Sequence, residues 1–188
     1  LIDTLLKKNN MYPNVVAGHS LGEYSALVSA DVLEFEDALQ IIKVRSEEMD
    51  NAGNINAGGM LAIFGASNQQ IKSICDNSKT LVPANYNSKE QIVLSGDINS
   101  IEKATIECRK MGIRRVIPLK TSGAFHSPLM KSARESLVNV IESVTFHDAK
   151  IPICQNTNPY PEQDGNNIRN NLINQLEMPV QWLKTILN

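Results

Sequence analysis

The segment Gly18-His19-Ser20-Leu21-Gly22 constrains this chain more than any other, because around it a strand has to turn straight into a helix. The apolar run Val15-Val16-Ala17 enters it as a buried strand, and the stretch from Glu23 to Ala30 leaves it as a helix. So sharp a turn pushes the serine hydroxyl out of the fold, and the flanking glycines let neighbouring backbone pass where a Cβ would clash. The helix behind it offers unpaired N–H groups and a positive dipole end, which suits an oxyanion. A Gly/Ser-rich turn could match by chance, but the strand before and the helix after favour a nucleophile elbow at Ser20.

A chain of 188 residues, 42% hydrophobic, can bury one sizeable core, or one core plus a small subdomain. Its net charge of −2 provides no basic field, so nucleic acid is not expected as a partner. No uninterrupted apolar run is long enough to cross a bilayer, so no membrane partner is expected either. Cys75, Cys108 and Cys154 are odd in number and show neither CxxC nor His/Cys metal spacing. They read as buried reduced thiols of a cytoplasmic protein, with no metal. Leu1, Leu5 and Leu6 share a helical face from the first residue, and the apolar run Val180 to Leu187 ends without a cap. A chain truncated at both ends is the expectation.

Past the elbow, Phe35, Ala38, Leu39, Ile42 and Met49 recur at helical spacing until Gly53 to Gly59, which reads as a linker. Residues 56–120 then have their own rhythm. Met60 to Phe64, Leu81 to Ala84, Gln91 to Leu94 and Arg115 to Leu119 read as strands. Asn68 to Asp76 and Ile101 to Met111 read as helices, the second stopped at Gly112. That order is βαββαβ, a ferredoxin-like subdomain inserted into an α/β-hydrolase-like body formed by residues 1–55 and 121–188. The body resumes with Ser127-Pro128 as a helix start and an apolar stripe from Leu129 to Val144. Ile151 to Cys154 reads as a strand, Asn156 to Asn166 as a polar loop, and Ile168 to Leu176 as another helix ended by Pro179.

A serine hydroxyl needs a base to take its proton. His147 reads as solvated surface, and the ring of His19 should point away from Ser20, leaving a packing role. His126 lies among small residues just before a helix start, whose positive end would keep the ring neutral. It is the expected general base, against the alternative of a helix-capping turn residue. Arg45 shares a helical face with Ala38, Ile42 and Met49. It is either a snorkelling side chain or a bidentate clamp for a substrate carboxylate.

With these segments the chain resembles the malonyl-CoA:acyl carrier protein transacylases and the acyltransferase domains of fatty acid and polyketide synthases. The resemblance rests on residues 18–26, on Arg45 with Met49, and on Ala84-Asn85-Tyr86-Asn87-Ser88 with Ser95-Gly96. It extends through residues 122–130 and Gln175-Leu176 to Pro179-Val180-Gln181-Trp182. It implies that Ser20 is acylated by malonyl from malonyl-CoA and passes it to the phosphopantetheine thiol of acyl carrier protein. No bound cofactor is needed, and a cytoplasmic monomer is implied. His126 would shuttle the proton, Arg45 would grip the malonyl carboxylate, and the Leu21 N–H would be an oxyanion donor. Gln175 would orient His126 through a backbone carbonyl. Asn87, paired with Asn85, would face the cleft at the subdomain edge. Phe125 beside the α-carbon would favour malonyl over methylmalonyl, a difference of roughly 1–3 kcal/mol.

Two departures from the family stand out. An early Gly-Gln-Gly segment that supplies a second oxyanion N–H is absent, as is a glycine-rich strand after Trp182. Loss of one donor is worth roughly 10²–10³ in rate. A serine thioesterase on the same elbow is the main alternative, set back by the absence of an Asp or Glu in a triad position. A catalytically impaired carrier-binding fragment, using the basic residues Lys110, Arg114, Arg115 and Lys120, is the other.

Overall fold

The computed structural model describes residues 2–76 and 78–188. The chain runs α1 (Ile2–Lys8), β1 (Val16–Ala17), α2 (Gly22–Ser29), α3 (Phe35–Ile55), β2 (Gly58–Phe64), α4 (Asn68–Cys75), β3 (Val82–Tyr86) and β4 (Gln91–Asp97). It continues through α5 (Ile98–Lys110), β5 (Arg115–Leu119), a 3-10 turn (Pro128–Met130) leading into α6 (Lys131–Ser143), β6 (Ile153–Cys154), α7 (Gly165–Asn174) and α8 (Trp182–Leu187). The class is mixed α/β.

Apolar side chains collect in separate clusters. The largest draws on residues 24–52 and 130–176, with Leu27, Ile41, Leu137, Ile141, Ile168 and Leu172 at its centre. Another draws on residues 61–113, where Leu61, Ile63 and Leu94 meet Ile71, Ile74 and Ile101. The sheet beneath those helices has the order β3-β4-β2-β5, with antiparallel neighbours throughout. Because strand side chains alternate, Met60 and Ala62 leave that core and meet Ala84 and Val93 on the opposite face, where Phe125 packs against them. Phe125 also touches the first core, so it lies where the two halves adjoin.

Local signals account for the small sheet's boundaries. Ser67 and Gln70 form a capping box at α4. Asp97 caps α5 by accepting from the Ser100 N–H, and hydrogen bonds from Thr80 and Ser100 pull its carboxyl down to about 2. Gly112, at φ +76°, ends α5 in the left-handed conformation that glycine tolerates. Edge strand β3 carries a register shift between Pro83 and Asn85. Beside that shift the C-terminal segment docks on the edge. Val180 donates its N–H to the Ala84 carbonyl at 2.8 Å and accepts from the Tyr86 N–H at 2.9 Å.

Several expectations need correction. Of the expected strand Val15 to Ala17, Val16–Ala17 does form a strand, paired in parallel with β6, but it is not buried, because β6 is its neighbour in a sheet of two strands. Gly53 to Gly59 is not a linker: α3 runs through to Ile55. Gly53 is buried because the Ser122–Gly123 backbone crosses it so closely that a Cβ would overlap the Ser122 carbonyl. The inward face of α3 is Ala38, Ile41, Arg45, Met49 and Ala52, leaving Phe35 and Leu39 exposed. On α1, Leu5 and Leu6 are exposed, and Leu1 lies outside the described residues. Cys108 and Cys154 are buried and Cys75 half-buried, with burial pushing the Cys75 and Cys108 thiols up to about 11. Among the described residues no helix is long and apolar enough to cross a membrane.

Candidate active site

Ser20 stands between β1 and α2 at φ +50°, a left-handed conformation that costs a non-glycine residue of order 1–3 kcal/mol. Gly18 makes the turn possible, since a Cβ there would overlap the Gly22 carbonyl. Asn156 holds the turn from the side. Its Oδ1 accepts the Ser20 N–H at 2.7 Å, and its Nδ2 donates to the Gly18 carbonyl at 2.6 Å.

His126 comes from the loop before the 3-10 turn and also has a positive φ, +55°. Its Nε2 lies 2.9 Å from Ser20 Oγ. Its Nδ1 lies 2.9 Å from the Gln175 carbonyl oxygen, just past the end of α7. A carbonyl only accepts, so the ring proton belongs on Nδ1 and the Nε2 lone pair faces the serine hydroxyl. That arrangement is the one a general base requires. Burial, and after it the Arg45 charge, hold His126 down to about 4, against the pull of its hydrogen bond to Gln175. The expectation had credited the helix end for the neutral ring; burial is the larger cause.

The pH dependence follows. Between pH 7 and 5 the folded ring is neutral, so the rate at which an active-site-directed sulfonyl fluoride modifies Ser20 should be flat. It should fall below pH 5 with a midpoint near 4, and a limb centred at the ordinary histidine value of 6.5 would contradict the buried neutral ring. Stability shifts with the same sign. The unfolded histidine takes its proton near 6.5 and the folded one near 4, so the ring's contribution is whole above 6.5 and lost as pH falls toward 4.

Arg45 does not snorkel. It is only 6% exposed, its guanidinium lies 5.6 Å from the Tyr24 ring centroid, and Nη2 donates to Ser20 Oγ at 3.0 Å. Its Nε is buried with no acceptor among the described residues. A buried cation with a spare N–H is costly unless an anion meets it. On the other side of Ser20, turn bonds occupy the N–H groups of Gly22, Glu23 and Tyr24. The Leu21 N–H donates to none of the described groups.

The remaining expected residues divide. Gln175 touches both partners, its carbonyl on His126 and its Nε2 donating to the Ser20 carbonyl at 3.2 Å. Phe125 is half-buried directly before His126. Asn87 lies at the end of β3, its Oδ1 2.8 Å from His19 Nε2, while its Nδ2 donates to Gln91. His19 is exposed and set edge-on to Trp182 at 5.4 Å, so it reaches toward the small sheet instead of packing in a core. His147 is exposed. Sequence reasoning missed Glu23, Gln155 and Asn156, all buried. Their signal was faint: an acid in the first turn of a helix and amides opening a polar loop both read as solvated.

Fold and site together define a mixed α/β protein in which a serine, a histidine and a buried arginine converge. The chain belongs to the acyl transferase domain family, whose model matches residues 1–188. A malonyl CoA-acyl carrier protein transacylase of Staphylococcus aureus is 40% identical over 180 residues, covering 94% of this chain and 58% of the relative. A crystal structure of an acyl carrier protein S-malonyltransferase from Vibrio cholerae superposes with a TM-score of 0.94 at 34% identity, covering 99% of this chain and 62% of that one. A structure of a type II PKS acyl-carrier protein in complex with its malonyl-transacylase matches with a TM-score of 0.93 at 34% identity, covering 99% and 62%. The chain therefore spans about three fifths of the length of these relatives.

Proposed function

We propose that the protein to which this chain belongs transfers a malonyl group from malonyl-CoA to the phosphopantetheine thiol of acyl carrier protein, through a malonyl ester on Ser20, in fatty acid synthesis. One observation carries the reading: a single hydroxyl lies 2.9 Å from a neutral imidazole nitrogen and 3.0 Å from a buried guanidinium. The imidazole activates the nucleophile, and the guanidinium with its spare Nε–H suits an acyl group that ends in a carboxylate.

His126 Nε2 takes the Ser20 proton as Oγ attacks the thioester carbonyl. The Leu21 N–H donates to the oxyanion of the tetrahedral intermediate. Collapse breaks the C–S bond, and the departing sulfur of coenzyme A takes the proton back from His126. In the second half the carrier thiol gives its proton to His126 and attacks the malonyl ester, and the proton returns to Ser20 Oγ. Arg45 holds the malonyl carboxylate throughout, the Gln175 carbonyl keeps the imidazole tautomer, and Phe125 crowds the α-carbon against a methyl branch. Asn87 lines the cleft from the subdomain edge. The scheme calls for no bound cofactor, and a cytoplasmic monomer is the form it suits.

We also read residues 1–55 and 121–188 as an α/β-hydrolase-like body and 56–120 as a ferredoxin-like subdomain. The order β3-β4-β2-β5 and the separate apolar clusters support that division.

The test uses the full-length protein with malonyl-CoA, with and without carrier protein carrying its phosphopantetheine arm. Intact-mass measurement should find malonyl on Ser20, then on the carrier thiol once carrier is added. Rapid release of free malonate, indifferent to carrier, would instead identify a thioesterase.

A further inference from the structure

Glu23 opens α2 and is completely buried, yet no step of the transfer uses it. Burying a carboxylate is costly unless hydrogen bonds meet it, and here they come from particular places. Gln155 Nε2 donates to Oε1 at 2.9 Å, and the Asn156 backbone N–H donates to Oε2 at 2.8 Å. Burial pushes the Glu23 carboxyl above its ordinary range, and the Gln175 side-chain amide, the two donors just named and the Arg45 charge pull against it. A first-turn acid that merely complemented the helix dipole would gain nothing from burial or from donors outside its own helix.

Two of these partners, Asn156 and Gln175, lead to the reacting pair, while Gln155 ties Glu23 to α7 through the Ile168 carbonyl and the Asn171 side chain. The Asn156 side chain spans the elbow, accepting the Ser20 N–H and donating to the Gly18 carbonyl. Gln175 holds His126 Nδ1 through its carbonyl and the Ser20 carbonyl through its amide. Serine and histidine are 106 positions apart in sequence, and both sit at positive φ, so neither segment holds its place unaided. We infer that Glu23 and Asn156 are positioning residues, with the buried Glu23 carboxylate locking Asn156 and Gln175 so that these two hold the Ser20 hydroxyl against the His126 imidazole. The inference rests on the reading of Ser20 and His126 as nucleophile and base. It adds that an acid separated from the histidine by one residue, Gln175, does what a directly bonded triad acid does elsewhere: it keeps the pair in register.

The experiment is made in the full-length protein with Glu23→Gln, Glu23→Asp and Asn156→Ala. Its readout is the rate at which phenylmethylsulfonyl fluoride sulfonylates Ser20, followed by intact mass. In that step Oγ displaces fluoride from sulfur and the proton leaves through His126, so the rate reports the pair's geometry without malonyl-CoA. Glu23→Gln and Asn156→Ala should each react at least twentyfold more slowly than the native protein, while still reaching one label per chain in a single phase. Glu23→Asp, which keeps the carboxyl group, should recover at least fivefold over Glu23→Gln. Rates within threefold of native would overturn the inference. So would a biphasic course, in which a native-rate fraction labels and the rest never does, because that marks misfolding instead of mispositioning. If native Ser20 is sulfonylated but malonyl-CoA leaves it unlabelled, the malonyl reading falls, and the slowing in the variants is still read directly.

Discussion

Ser20→Ala in the full-length protein is expected to abolish labelling by malonyl-CoA while leaving binding to acyl carrier protein intact. Removing a serine nucleophile or its histidine from such a constellation costs about 10⁶ in kcat, because each is useless without the other. The geometry predicts the same interdependence here, since Oγ and Nε2 share one proton over 2.9 Å. His126→Ala should therefore lose nearly as much as Ser20→Ala, and the double variant should be no worse than either single one. Intact-mass labelling with malonyl-CoA measures the rates, and calorimetry with carrier protein measures the binding. Retained labelling of Ser20→Ala would remove Ser20 from the mechanism.

Arg45→Ala should weaken malonyl transfer far more than acetyl transfer. Truncating one partner of a buried, hydrogen-bonded charge pair costs about 2–5 kcal/mol, or about 30- to 4,000-fold. Acetyl has no carboxylate, so it never forms that pair and escapes this penalty. Competition between malonyl-CoA and acetyl-CoA, read as the ratio of kcat/KM values, isolates the difference. Equal losses on the two substrates would undo the clamp. The same substitution removes a charge that holds His126 down, so the acid limb of the acetyl reaction should move above 4.

Much of this could be read before folding, and the reasons are local. The elbow announces itself because strand, glycines, serine and helix are contiguous, and the structure keeps that order from Val16 to Ser29. The helix start at Ser127-Pro128, the stop at Gly112 and strand Arg115–Leu119 were equally legible, since caps and alternation act over a few residues. Gly53 misled because a glycine in a helix is a breaker by propensity, and only the crossing backbone of Ser122 explains why it is retained there. Arg45 stayed ambiguous because periodicity says which face a side chain shares and nothing of whether its head reaches water.

The amino-acid sequence by itself determined the short-range chemistry: an exposed-hydroxyl turn, a histidine before a helix, an arginine on an apolar face, and the alternation of the small sheet. Only the tertiary structure decided that Oγ, Nε2 and Nη2 meet, that Gln175 offers its carbonyl to the imidazole, and that Glu23 and Asn156 lie buried beneath the turn. The division has a physical cause. Backbone preferences are settled between neighbours, whereas a hydrogen bond of about 3 Å between residues a hundred positions apart exists only once packing has brought them together.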